Sequence, residues 1–308
     1  PEGEGLTALP AGYVFPATGF ASFQTNWDRV GGNAMWSFRS SPYGSTSHAL
    51  ANQNAFNTFY GGKPLFYSSG HHIEFTDVHS MLCHRATRAH NTILVNGMGQ
   101  RIGTEGYGWI PRYYASEKIG YVLGDASNAY GKVISPLWLT RGEQSEVHYT
   151  PENGWDENHV KTFRRHIVNL TGLIFIYDEL VADEPVNWSY LLHTTENPMT
   201  VDQSNHRFVH IQATNRGGAS DAYLFSTGTL QTDTTSRFFY PAVNWLRADD
   251  KGVFKKYPNH WHFTATSEKA QVYRFATVIN THALKYPAKD PEILSDGRIK
   301  VGGWLISV

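Results

Sequence analysis

The stretch Phe163-Arg164-Arg165-His166-Ile167-Val168-Asn169-Leu170-Thr171-Gly172-Leu173-Ile174-Phe175-Ile176-Tyr177-Asp178-Glu179-Leu180 decides how the rest of the sequence is read. Two apolar runs, 163–170 and 172–180, flank a break at Thr171-Gly172, and both have strand length. Working outward, the same texture persists. Residues 188–194, 208–213 and 222–226 are short apolar runs, 260–266 and 271–279 alternate around Ser267-Glu268, and 298–301 and 303–308 flank Gly302. On the N-terminal side, 19–25, 33–39, 54–60, 64–68, 92–95 and 119–124 are strand candidates. Gly61-Gly62 and Asn96-Gly97 supply hairpin turns, and 1–18 and 40–47 read as loops. Residues 101–160 otherwise carry few regular signals, and no stretch keeps a long 3.6-residue period. Many short strands punctuated by Gly and Pro predict an all-β protein. The strands are too many for one small sandwich, so two large stacked antiparallel sheets are expected. A weak boundary near 200–220 divides the chain into a central sandwich, 1–210, and a remainder, 211–308, of further strands or a smaller C-terminal β part.

Composition narrows the function. The formal net charge is −1 over 308 residues, so nothing demands a nucleic acid or a membrane surface as partner. No apolar run is long enough to cross a membrane as a helix. Cys83 is the only cysteine, which excludes an internal disulfide. Aromatics reach 14%; they favour strands and also suit stacking on sugar rings. The sequence begins Pro1-Glu2-Gly3-Glu4 and reads as a piece of a longer protein.

The chemistry concentrates between residues 46 and 100. His71, His72, His79, His84 and His90 crowd one window, with His48 standing before them. Imidazoles between core strands are candidates for proton transfer or metal binding, although most are expected to be surface or hydrogen-bonded core residues.

Three segments resemble the heparinase II/III-like polysaccharide lyases, in their C-terminal β-sandwich region. His48-Ala49-Leu50-Ala51-Asn52-Gln53-Asn54-Ala55-Phe56, with Gly62-Lys63-Pro64-Leu65-Phe66, looks like the family's His-x-His-Ala-Asp-Gln-x-x-Phe motif and the Gly-x-Pro-Leu strand after it. Arg85-Ala86-Thr87-Arg88-Ala89-His90-Asn91-Thr92, with Val95-Asn96-Gly97-Met98-Gly99-Gln100, is similar to the family's Ala-His-Asn-Thr strand and Gly-x-Gly-Gln turn. Arg165-His166 with Ile176-Tyr177-Asp178-Glu179-Leu180 resembles a strand pair common to these sandwiches. The resemblance implies β-elimination on an acidic, uronate-containing polysaccharide, in a cleft shared with an N-terminal (α/α) toroid that this chain lacks. His48 takes the catalytic position on the sandwich side. Asn54, Arg85, Arg88 and Arg101 are candidates to bind substrate. Of the zinc ligands in the zinc-containing relatives only His90 is kept, since the other two positions fall at Leu50 and near Tyr67. The usual structural zinc is therefore not expected, and a rearranged site using His71, His72, Asp77, His79, Cys83 or His84 has no spacing argument behind it. A near-neutral chain favours alginate over heparin or heparan sulfate, which is the alternative; a non-catalytic carbohydrate-binding or structural sandwich is the other. Such substrates imply a secreted or periplasmic bacterial protein.

Overall fold

A computed structural model describes residues 9–28, 31–116, 119–248 and 254–307. The first sheet is a meander of five antiparallel strands: β1 (Gly12–Phe15), β2 (Phe20–Gln24), β3 (Ala34–Arg39), β4 (Ala55–Tyr60) and β5 (Lys63–Pro64). Then come β6 (Ile93–Val95), β7 (Trp109–Ala115), β8 (Gly120–Asp125), a helix α1 (Pro136–Gln144), β9 (Val160–Asn169), β10 (Leu173–Val186), β11 (Trp188–Thr194), β12 (Thr200–Asp202), β13 (Val209–Asn215) and β14 (Gly218–Ser226). The chain ends with β15 (Leu230–Thr235), β16 (Val243–Ala248), β17 (Phe254–Lys256), β18 (Trp261–Ser267), β19 (Ala270–Ala283), β20 (Glu292–Ile293), β21 (Ile299–Val301) and β22 (Trp304–Ile306).

An eight-stranded sheet, β12-β13-β14-β19-β10-β9-β8-β7, forms the long layer. The opening stretch of the sequence lies near its middle: β10 pairs with β9 on one side and β19 on the other. Alternation along β9 and β10 sends Phe163, Ile167, Ile174, Ile176 and Leu180 to one face. There they meet Phe23, Trp36, Phe38 and Phe56 of the five-stranded sheet and Ile93, Trp188, Tyr190 and Phe263 of a four-stranded sheet, β15-β18-β11-β6, in one continuous core. The two smaller sheets thus face the large one. The opposite face of the eight-stranded sheet buries Leu173, Phe175 and Val278 under Ile299 and Val301 of a three-stranded sheet, β20-β21-β22.

The sandwich is therefore wider than two plain sheets, and its halves are interleaved. The boundary near 200–220 does not separate two units: β14 and β19, both beyond it, pair within the same sheet as β8–β10. The strands from Glu292 onward form a small sheet of their own, as do β16 and β17. Within the loop expected over 1–18, residues 1–8 lie outside the described residues, and β1 occupies part of the rest. Among the described residues no helix is long and apolar enough to cross a membrane.

One buried ion pair ties the core to the region of interest. Arg165 and Asp178 face each other across β9 and β10, both wholly buried. The guanidinium donates from Nε to Oδ1 at 2.7 Å and from Nη2 to Oδ2 at 2.8 Å. Its remaining nitrogen, Nη1, donates to the carbonyls of Asn54 (2.8 Å) and Asn91 (3.0 Å). Burial alone would lower the Arg165 pKa; the Asp178 charge and its hydrogen bonds more than offset that and hold it raised.

Candidate functional site

The loop from Ser40 to Asn54 enters β4 with two non-glycine residues in the left-handed region, Ser47 (φ 52°) and Asn54 (φ 57°). A buried amide network fixes its far end. Gln53 N–H donates to Gln100 Oε1 (2.7 Å), and Gln100 Nε2 donates back to the Gln53 carbonyl (2.9 Å). The Ser41 N–H donates to Gln53 Oε1 (2.7 Å). Thr87 Oγ1 donates to the Ala51 carbonyl (2.8 Å) and accepts from Gln100 N–H (2.7 Å). Asn91 Nδ2 donates to the Phe56 carbonyl (2.9 Å), and its Oδ1 accepts the His193 N–H (2.9 Å). The glutamine and asparagines of the sequence motifs are thus a scaffold that staples the His48 loop to the segment before β6. Asn54, expected at the substrate, belongs to that scaffold. It is fully buried, and its Nδ2 donates to the carbonyls of Gly124 and Phe163, each at 3.2 Å. A side chain sealed in the core cannot touch a polymer, so that expectation is corrected.

Arg85 is corrected for the same physical reason, and the half-buried Arg88 and Arg101 because their donors are turned onto backbone carbonyls. Arg85 is 1% exposed and spends its donors on carbonyls: Phe75 (3.2 Å from Nε), Ser47 (2.5 Å from Nη1) and Ala49 (3.4 Å from Nη1). Its guanidinium lies 4.5 Å from the Phe75 ring centroid and 5.0 Å from that of Trp138. Arg88 donates to the Asn153 carbonyl and lies 4.1 Å from the Phe239 ring centroid. It sits in a 3-10 turn, Thr87–Ala89, and not on a strand. Arg101 donates to the Tyr130 carbonyl from Nε (3.0 Å) and from Nη2. Burial lowers the pKa of both Arg85 and Arg88. None of the three presents a free fork for a carboxylate. The sequence reading missed Arg39, which donates to Asn52 Oδ1 (2.7 Å), the Leu50 carbonyl (3.3 Å) and the Gly44 carbonyl (2.6 Å). Burial pushes it down to about 10.

His48 itself is exposed. Its ring lies edge-on to Phe75, centroids 5.4 Å apart, and 5.8 Å from His72. From there the imidazoles continue inward. His72 meets His84 at 5.8 Å; His84 disfavours a charge on His90, and His90 disfavours one on His193. His193 packs on His262 at 5.1 Å, and His260, His71 and His79 close the band around Phe238. His193, His260 and His262 escaped the sequence reading because they arrive from β11, β18 and the residue just before β18, more than 100 residues away. The one signal was register: His193 and His262 sit opposite each other across those two strands, which needs the pairing to be known first.

Burial keeps the inner members of this band, His79, His84, His90, His193, His260 and His262, neutral. It lowers His84 and His262 to about 4 and His90 and His260 to about 3; neighbouring imidazoles add to it at all but His262. His79 is lowered too, mainly by burial, and its partners fix the tautomer: Nδ1 donates to the Tyr240 carbonyl (2.6 Å) while Nε2 accepts the His71 N–H (3.0 Å). Such groups can accept a proton or a hydrogen bond, but they do not neutralise a carboxylate at neutral pH.

The residues present do not suit the zinc of the zinc-containing relatives. His90 is buried, with Nδ1 on Ser68 Oγ (3.0 Å) and Nε2 without a partner among the described residues. Leu50 carries no donor atom, and Tyr67 packs edge-on to Phe59 at 5.6 Å. Among the described residues no group of three or more His, Cys, Asp or Glu is arranged to hold a metal ion.

The family model described as heparinase II/III-like, C-terminal, matches residues 7–276. The chain belongs to that family. No curated protein sequence matches it. Among solved structures it is similar to a heparinase III (TM-score 0.66, 15% identity, 97% of this chain and 42% of that one). It is also similar to the heparan sulfate lyase HepC of Pedobacter heparinus (TM-score 0.63, 14% identity, 96% of this chain and 42% of that one). At such identities the likeness is one of fold. This heparinase II/III-like sandwich spans less than half the length of either protein.

Proposed function

We propose that this chain is the sandwich half of a polysaccharide lyase that cleaves a uronate-containing polymer by β-elimination, with heparan sulfate as the first substrate to test. The observation that carries the reading is His48: an exposed imidazole on a loop of fixed backbone, at the open end of a band of histidines, in a chain of this family. The family description and the names of the two solved relatives support the heparin class over alginate. The preference for alginate drawn from net charge does not stand beside them, because net charge averages over surfaces that never meet substrate.

In this reading the C5 proton of the uronate is removed, the C4–O4 bond breaks, a C4=C5 double bond forms and O4 leaves with a proton. His48, when neutral, accepts the C5 proton or hydrogen-bonds the carboxylate, depending on which ring face carries that proton. General acid–base help of this kind is worth about 10²–10⁴-fold. The charge that neutralises the carboxylate and the tyrosine that serves O4 belong to the N-terminal toroid. Such polymers lie outside the cytoplasm, so the same reading places the protein in the periplasm or beyond the cell.

The test is the ultraviolet absorbance of the unsaturated uronate product, followed with the full-length protein on heparan sulfate, heparin and alginate. Product on heparan sulfate and its loss in His48→Ala are expected. Folded protein that releases no unsaturated product from any of the three polymers would leave a non-catalytic carbohydrate-binding sandwich as the better reading.

A further inference from the structure

Two locally costly features converge on His48. The residue before it, Ser47, is held at φ 52°, a region that non-glycine residues enter at a cost. The side chain that holds it, Arg85, is a cation buried without a hydrogen-bonded carboxylate; Asp77 is near enough to raise its pKa but not to pair, and Nη2 has no partner among the described residues. Burying a charge this way is expensive, and an apolar side chain of similar volume is commonly the more stable choice in such a place. Stability alone therefore does not explain an arginine here.

Its contacts do. Nη1 donates to the carbonyls on both sides of His48, those of Ser47 and Ala49. Nε donates to the Phe75 carbonyl, and the guanidinium lies against the Phe75 ring on which the His48 imidazole rests. The Arg85 carbonyl also accepts the Ala51 N–H at 2.9 Å. One residue thus fixes the backbone before His48, the backbone after it and the wall beside its ring. Arg39 grips the same loop farther out, at Gly44, Leu50 and Asn52, and leaves the two peptides flanking His48 to Arg85.

We infer that Arg85 is the positioning residue of His48, acting on the elimination through the imidazole and never touching substrate. This rests on the reading of His48 as the sandwich's catalytic group. Positional errors of about 1 Å at such a group cost on the order of 10²-fold. In the full-length protein acting on heparan sulfate, Arg85→Met is expected to lower kcat on that order with KM little changed. Arg85→Lys keeps one donor for the Ser47 carbonyl and should recover part of the loss. A double-mutant cycle separates positioning from general damage: in a His48→Ala background, Arg85→Met should cost nothing further. If Arg85→Met does not fold, Arg85→Lys carries the cycle. Independently of turnover, the His48 ring resonance, assigned by its disappearance in His48→Ala, should shift and broaden in the Arg85 variants while that of His210 stays fixed. Wild-type kcat in Arg85→Met, additive losses in the cycle, or an unmoved His48 resonance would overturn the positioning role. Full activity in His48→Ala would instead bring down the reading on which it rests.

Discussion

At the scale of single residues, the sequence motifs mark two different things. His48 is exposed, while Gln53, Asn54, Asn91 and Gln100 are buried and hold the peptide that carries it. Arg165 joins these groups to the core by gripping the carbonyls of Asn54 and Asn91 while it pairs with Asp178. Removing one member of such a pair strands the other in the interior, which costs about 3–5 kcal/mol. Arg165→Met should therefore lower the unfolding free energy by about that amount, read from urea denaturation. It should also disturb the His48 loop, because two carbonyls lose their donor together. A loss below about 1 kcal/mol would mean that the pair contributes no more than an exposed one. Motif spacing could not tell scaffold from site: both need invariant geometry, and only burial and hydrogen-bond partners distinguish them. The arginines show the same limit, since nothing local in the sequence says that Arg85 points inward to carbonyls and not outward to a sugar acid.

At the scale of elements, apolar alternation was a good guide where strands lie in the core. The runs at 163–170, 172–180 and 188–194 appear as β9, β10 and β11, because each buries at least one face: alternate residues of β9, most of β10 and every residue of β11. It failed for β7 and α1. β7 is an edge strand with one buried residue, Ile110, and a proline in it; α1 buries only Trp138 and Gly142 along nine residues. Neither offers a periodic apolar face to read. The Asn96-Gly97 turn was legible and its partner was not. The two residues take φ 50° and 77°, as a tight primed turn requires, yet the returning strand is a single bridge from Val95 to Met98, and β6 pairs with β11 instead. A Cβ on Gly97 would meet nothing within 4 Å, so Gly97→Ala isolates the backbone cost. It should destabilise the protein by about 1–2 kcal/mol with unchanged near-ultraviolet circular dichroism. A neutral effect would show that the turn relaxes freely.

At the scale of the whole molecule, long-range pairing in the four-stranded sheet gathers histidines from distant segments into one band: β18 on one edge of β11 sets His262 opposite His193, and β6 on its other edge brings in the segment that carries His90. A sequence boundary near 200–220 could not anticipate it, because long-range antiparallel pairing leaves no local signature. The band has a thermodynamic consequence. His84, His90, His260 and His262 titrate at about 3 to 4 when folded, against an ordinary value of 6.5, so the unfolded chain binds more protons in that interval. Stability is thus complete above about pH 6.5 and falls as pH drops toward the folded values, by up to about 1.4 kcal/mol per pH unit for a fully buried imidazole such as His90. Carboxylates act in a different window. In Asp221, burial pushes the pKa up, but hydrogen bonds from His210, His282 and Gln212 more than offset it and leave it lowered, so its contribution is lost only below the usual carboxylate range. Urea midpoints should therefore stay level from pH 7.5 to about 6.5 and fall from there down to pH 5. His90→Gln should flatten the slope, whereas Asp221→Asn should lower the whole curve without changing its slope in that interval. A midpoint that stays level between pH 6.5 and 5 in the wild-type chain would mean that the imidazoles are hydrated enough to take up protons without loss of fold.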